Sequence, residues 1–76
     1  MSRRIAGLTT AYVKVSSGAQ RIMITPSGGA MRVADSDVGN DPPYAKRADG
    51  KDFFTPYGHE TWIRAETGTI DVEIIE

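Results

Sequence analysis

A period of two runs through most of this chain, and it restricts the fold more than any other feature. In Ile70-Asp71-Val72-Glu73-Ile74-Ile75, the residues Ile70, Val72 and Ile74 share one side and Asp71 and Glu73 the other. That is the pattern of a half-buried β-strand, whose successive side chains point to opposite faces. In Glu60-Thr61-Trp62-Ile63-Arg64-Ala65, Ile63 and Ala65 take the buried side, which puts Trp62 and Arg64 together on the other. With Glu66-Thr67-Gly68-Thr69 between them, the two runs predict a C-terminal β-hairpin.

The first half alternates in the same way. Over residues 9–15, Ala11, Val13 and Val15 oppose Tyr12 and Lys14; over 20–25, Ile22 and Ile24 oppose Arg21 and Met23. Over 30–34, Met31 and Val33 point inward. Ser16-Ser17-Gly18 and Pro26-Ser27-Gly28-Gly29 punctuate these runs, and the three strands fit an antiparallel meander with one solvated face. Helical periodicity is nearly absent, apart from a turn around residues 36–38. Between Asp35 and Tyr57 the alternation dissolves around Asp41-Pro42-Pro43-Tyr44 and Asp49-Gly50. Phe53, Phe54 and Tyr57 are the apolar anchors expected to pin this stretch, as a long loop or short edge strands, onto the core. Loops of this length tend to carry contacts to a partner.

Because both faces of the Trp62 strand are partly apolar, two layers fit better than one open sheet. The expected fold is all-β: a small antiparallel β-sandwich or barrel of about six or seven short strands, closed by the C-terminal hairpin. Residues 9–76 form the single β domain, with an irregular 35–57 loop region, and residues 1–8 form an N-terminal arm carrying Arg3 and Arg4. At 76 residues the chain holds one domain with a marginal core. It has no cysteine, so disulfides and zinc-thiolate staples are excluded and oligomerisation is the expected supplement. No apolar run approaches the roughly 20 residues of a membrane helix, and the two early arginines lack the apolar stretch of a signal peptide. A protein made in the cytoplasm with no membrane partner is expected.

Net charge is −1, yet residues 1–34 carry Arg3, Arg4, Lys14, Arg21 and Arg32 and no acid. Residues 35–76 carry all ten carboxylates against Lys46, Arg47, Lys51 and Arg64. Such a split predicts basic strands meeting acidic ones, either within one subunit or between neighbours in a head-to-tail ring.

The residue types needed for chemistry are sparse. Asp35-Ser36-Asp37-Val38-Gly39-Asn40-Asp41 is the one stretch with hard-cation ligands, but its spacing lacks the sixth-position glycine and the twelfth-position bidentate glutamate of a calcium loop, and Asp, Asn and Gly are the ordinary constituents of turns. His59 is the only histidine. Adjacent Glu60 would point away from it in a strand, so no orienting acid is in place for a general base. No catalytic, cofactor-binding or metal-binding residue is expected. Single-strand nucleic-acid binding is the alternative class, since Tyr12, Lys14, Arg21 and Arg32 could share an outward face. Against it stand six aromatics in all and a pI near 5.7, far from a basic footprint.

Trp62-Ile63-Arg64-Ala65, the Thr67-Gly68-Thr69 turn and Ile70-Asp71-Val72-Glu73-Ile74 follow Gln20-Arg21-Ile22-Met23-Ile24, a Gly29-Ala30-Met31-Arg32-Val33-Ala34 strand, a polar Asp35-Ser36-Asp37 turn and an irregular middle. Over residues 9–76 this order resembles small bacteriophage virion proteins, compact β-sandwiches that decorate the capsid, anchor a head fibre or sit at a connector or tail. The resemblance implies a non-enzymatic, repeated structural subunit without cofactors: a capsid decoration or head-associated protein located in the virion. Its partners would be copies of itself, as a trimer or ring, and a larger protein such as the major capsid protein. Trp, Tyr and Arg concentrate interface energy, and the expected contact residues are Arg3, Arg4, Tyr12, Phe53, Phe54, Tyr57, Trp62 and Arg64.

Overall fold

The computed structural model describes residues 2–44 and 46–76. It is all-β, with strands β1 (Ser2–Leu8), β2 (Val13–Ser16), β3 (Met23–Ser27), β4 (Ala30–Ala34), β5 (Arg47–Asp49), β6 (Phe53–Phe54), β7 (Thr61–Ala65) and β8 (Ile70–Ile75). They form two four-stranded sheets, β1-β8-β3-β6 and β2-β7-β4-β5, and every pairing is antiparallel.

The pairings β1 with β8, β2 with β7, β3 with β6 and β4 with β5 nest around one tip. The chain is thus a long double ribbon doubled back at the β4–β5 connection. Rolling that ribbon adds β3 to β8 and β4 to β7. This is the eight-stranded jelly-roll arrangement.

The alternation places the core as expected. Ile22, Ile24, Met31, Val33, Ile63, Ala65, Ile70, Val72 and Ile74 are buried in one cluster with Leu8, Val15 and Ala48, contributed by both sheets. Two local expectations fail because an inward-facing strand does not specify its neighbour. The first three alternating segments are not a meander: β2 and β4 flank β7 in one sheet, while β3 lies beside β8 in the other. The C-terminal segments do not form a hairpin either. β7 and β8 lie in different sheets, so residues 66–69 form an arch across the sandwich.

Residues 1–8 were expected as an arm. Ser2–Leu8 instead pairs along β8 as an edge strand, with its register shifting between Ile5 and Leu8. In β2, a shift between Lys14 and Ser16 buries the adjacent Val15 and Ser16 together. Val13 lies 41% exposed on that edge despite its inward register opposite Ile63. Pro26, read as a break, lies within β3. β6 pairs with β3 only at Met23 and Ile24, so at Pro26 one side of β3 has no strand neighbour and the missing N–H is tolerated.

The 35–57 region holds β5 and β6 as short edge strands, and its anchors differ from those expected. Phe53 packs on the core and stacks on Tyr44 with ring centroids 5.4 Å apart. Phe54 and Tyr57 are exposed, at 50% and 69%. Thr55 is the buried pin: its N–H donates to the Ile22 carbonyl at 2.9 Å, and its Oγ1 accepts from the Ile22 N–H at 3.0 Å.

Candidate interaction surfaces

Cross-strand register brings outward side chains of the second sheet into rows. Trp62 lies opposite Lys14 on one side and Ala34 on the other. Arg32 lies opposite Arg64 and Arg47, which makes a row of three guanidinium-bearing positions across β7, β4 and β5. Tyr12, just before β2, closes the row: the Arg64 guanidinium sits 5.4 Å from its ring centroid, a cation–π contact. Arg64 also donates to the carbonyls of Ala65 at 3.0 Å and Glu66 at 3.4 Å, which fixes its head over the sheet. Tyr12, Trp62 and Arg64 of the expected contact set therefore share one face.

Most cations of this face carry an acid. Arg47 pairs with Glu66 at 2.8 Å and Asp49 at 3.2 Å, Arg32 with Asp41 at 3.9 Å, and Lys14 with Glu60 at 2.9 Å. The Lys14 ammonium is the main reason the Glu60 carboxyl is held below the usual carboxylate range. The Trp62 indole N–H helps from nearby without reaching hydrogen-bond geometry, and its buried nitrogen has no partner of its own.

The other expected residues lie elsewhere. Arg3, at an edge, bridges the two sheets: it donates to the Val15 carbonyl at 3.0 Å and pairs with Glu76 at 3.1 Å. Arg4 pairs with Asp71 at 2.6 Å. Four of the five cations in residues 1–34 thus meet carboxylates of residues 35–76 within the chain, the within-subunit version of the charge split. Tyr57 joins neither row, and Phe53 is packed against the core.

Phe54 belongs to the outer face of the first sheet. There it is opposite Met23, which is opposite Ile75, and Arg21 lies 5.1 Å from the Phe54 ring centroid. These four residues and Ile22 line a shallow depression. Met23 and Ile75 were absent from the expected set, although the alternation already turned both outward; only the β6-β3-β8 pairing aligns residues 54, 23 and 75.

The remaining polar candidates are a turn and an exposed histidine. The Asp35–Asp41 stretch is a closed turn, in which the Asp35 N–H donates to the Asn40 carbonyl at 2.8 Å and the Gly39 N–H to the Ser36 carbonyl at 3.1 Å. Among the described residues, no three acidic or histidine side chains converge on a metal-sized site. His59 is exposed and meets the Tyr44 ring edge-on at 5.9 Å.

Asp71, on β8, ties β1 to β8 through two hydrogen bonds. The Gly7 backbone N–H donates to it at 3.1 Å, and with Arg4 this holds its carboxyl below the usual range. A carboxylate lowered on folding contributes stability above its unfolded pKa, near 4, and loses it as pH falls through the folded value. Asp71→Asn is therefore expected to lose less stability than wild type between pH 7 and pH 3, read as urea midpoints. Equal acid losses would show that Asp71 contributes nothing to the acid response.

Comparison of the chain with family models, curated proteins and solved structures gives no match.

Proposed function

We propose that this chain is a non-enzymatic structural subunit of a bacteriophage particle, a capsid decoration or head-associated protein. It docks on a larger virion protein, such as the major capsid protein, through the outer face of its second sheet. The observation that carries this reading is the meeting of Tyr12, Trp62 and Arg64 on that face, beside the Arg64–Arg32–Arg47 row. Large, stiff aromatic groups and planar guanidinium groups are the types that dominate binding energy at protein interfaces. Jelly rolls recur in viral capsid domains, which supports the reading by analogy of fold alone. A core this small also benefits from being held on a larger surface.

The same face favours a second reading, single-strand nucleic-acid binding, because aromatic rings beside guanidinium groups can stack bases and meet phosphates. The carboxylates on Arg32, Arg47 and Lys14 oppose it by cancelling much of the attraction for phosphate. A labelled oligothymidylate titrated with the protein is expected to show no salt-dependent binding; a steep salt dependence would favour this reading instead.

The docking reading is tested on particles purified from the source and analysed by mass spectrometry, then stripped of the chain and re-incubated with it. The chain is expected in the particles, and wild type is expected to rebind. Trp62→Ala and Arg64→Ala, checked for folding by circular dichroism, should rebind at least about tenfold more weakly. Trp62→Ala should have a larger effect than loss of any single surface charge. Absence from particles, or full rebinding by both variants, would count against the proposal.

A further inference from the structure

The outer face of the first sheet changes character along its strands in three steps. Arg21 lies at one end, on the extension of β3 that Ile22 continues by bonding to Thr55. The next row is Phe54, Met23 and Ile75, with Phe54 half exposed and Ile75 at 44%. The row after that holds Thr25 opposite Glu73, with Asp52 accepting from the Thr25 hydroxyl at 2.7 Å, and Glu73 is in turn opposite Arg4 of β1, whose guanidinium is taken by Asp71. Arg21 and Thr25 are four residues apart, about 13 Å along an extended strand. Among the described residues, neither Arg21 nor Glu73 is in an ion pair.

Over β6, β3 and β8 the strip runs from cation through apolar row to anions, and that part of the face is complementary to itself. A two-fold axis parallel to the apolar row reverses strand direction in the second copy and leaves the order of strands unchanged. Phe54, Met23 and Ile75 then lie on their own counterparts. Each Arg21 lies over the Thr25, Asp52 and Glu73 row of the other copy, and the reverse contact follows by symmetry. This is the isologous geometry of a closed dimer. Sheets packed face to face sit about 10 Å apart, within reach of an arginine from one side. Edge-to-edge growth along this sheet is opposed at β6, which has two residues and is followed closely by Pro56.

We infer that two copies of this chain associate face to face through the first sheet, with the Phe54–Met23–Ile75 row at the centre and Arg21 paired with Glu73 and Asp52 across the two-fold axis. This surface is opposite the one assigned to docking, so the inference holds or fails independently of that reading.

The test needs no partner: molar mass of the purified full chain by light scattering and analytical ultracentrifugation, from roughly 1 µM to 1 mM, the range in which modest interfaces dissociate. A monomer–dimer equilibrium is expected. Arg21→Glu sets like charges together and should weaken dimerisation at least about tenfold, as should Glu73→Lys. The double variant should recover most of the loss, a result that a change in subunit folding would not produce. Phe54→Ser should weaken association with the charges intact, and circular dichroism confirms that each variant is folded. A chain that stays monomeric at 1 mM would overturn the inference. So would a dimer indifferent to these substitutions, or one not rescued by the double variant.

Discussion

Ile74→Ala is expected to lower the unfolding free energy by about 2–5 kcal/mol, the usual cost of truncating a buried isoleucine to a methyl group. Ile74 is fully buried in β8, the strand that β1 and β3 flank, with Ile24 opposite it on β3. A cavity there opens between the two sheets, where each layer relies on the other for its apolar contacts. A domain of this length has a total stability of about 4–11 kcal/mol, so the loss is a large fraction of the whole. The melting temperature should fall by roughly 10 °C or more. Its neighbour is the control: Ile75 points outward and is 44% exposed, and Ile75→Ala should cost the monomer less than about 1 kcal/mol. Urea unfolding of both variants at low concentration provides the comparison. Equal losses would mean that the inward face of β8 is wrongly assigned.

Gly18→Ala is the second large effect, and its cause is backbone rather than side-chain packing. Gly18 has φ of +89°, and an added Cβ would lie 2.7 Å from the His59 backbone nitrogen and 2.9 Å from its carbonyl oxygen. The Gly58 N–H donates to the Gly18 carbonyl at 3.0 Å, so the β2–β3 connection is pressed against the segment leading into β7. Neither obstructing atom can rotate away as a side chain can. The expected cost is at least about 2 kcal/mol, from positive-φ strain plus the displaced contact. Gly50→Ala separates the two contributions, because Gly50 has φ of +70° with nothing within 4 Å of the added Cβ. It should lose only about 1–2 kcal/mol. If Gly18→Ala cost no more than Gly50→Ala, the contact with residues 58 and 59 would not contribute to stability.

The candidate surfaces were legible in part. Alternation alone turns Trp62 and Arg64 to one face and Met23 and Ile75 outward, since a period of two fixes facing wherever a strand is regular. It does not bring Tyr12 to Arg64, because Tyr12 lies outside β2 and reaches that face through the β2–β7 pairing. Phe53 and Phe54 show the same limit. Adjacent in a two-residue strand, they face opposite ways, and which one enters the core depends on how β6 meets β3. Arg3 and Arg4 read as an arm because residues 1–8 lack a clean alternation. Their order comes from β8 and from Asp71, Glu76 and Val15, all distant in sequence.

By itself the sequence determined that the chain is β throughout and which side chains face the core: Ile22, Ile24, Met31, Val33, Ile63, Ala65, Ile70, Val72 and Ile74. Only the tertiary structure decided which strands are neighbours. Ile63 is equally buried whether β8 lies beside β7 as a hairpin or across from it in the other sheet. The link over residues 66–69 is long enough, at about 3.3 Å per residue, to span the roughly 10 Å between packed sheets. Facing is a local property of the backbone, whereas pairing follows from which arrangement buries all the inward faces at once. For this chain that arrangement is the rolled ribbon, which buries one face of each sheet against the other and leaves each sheet one outer face.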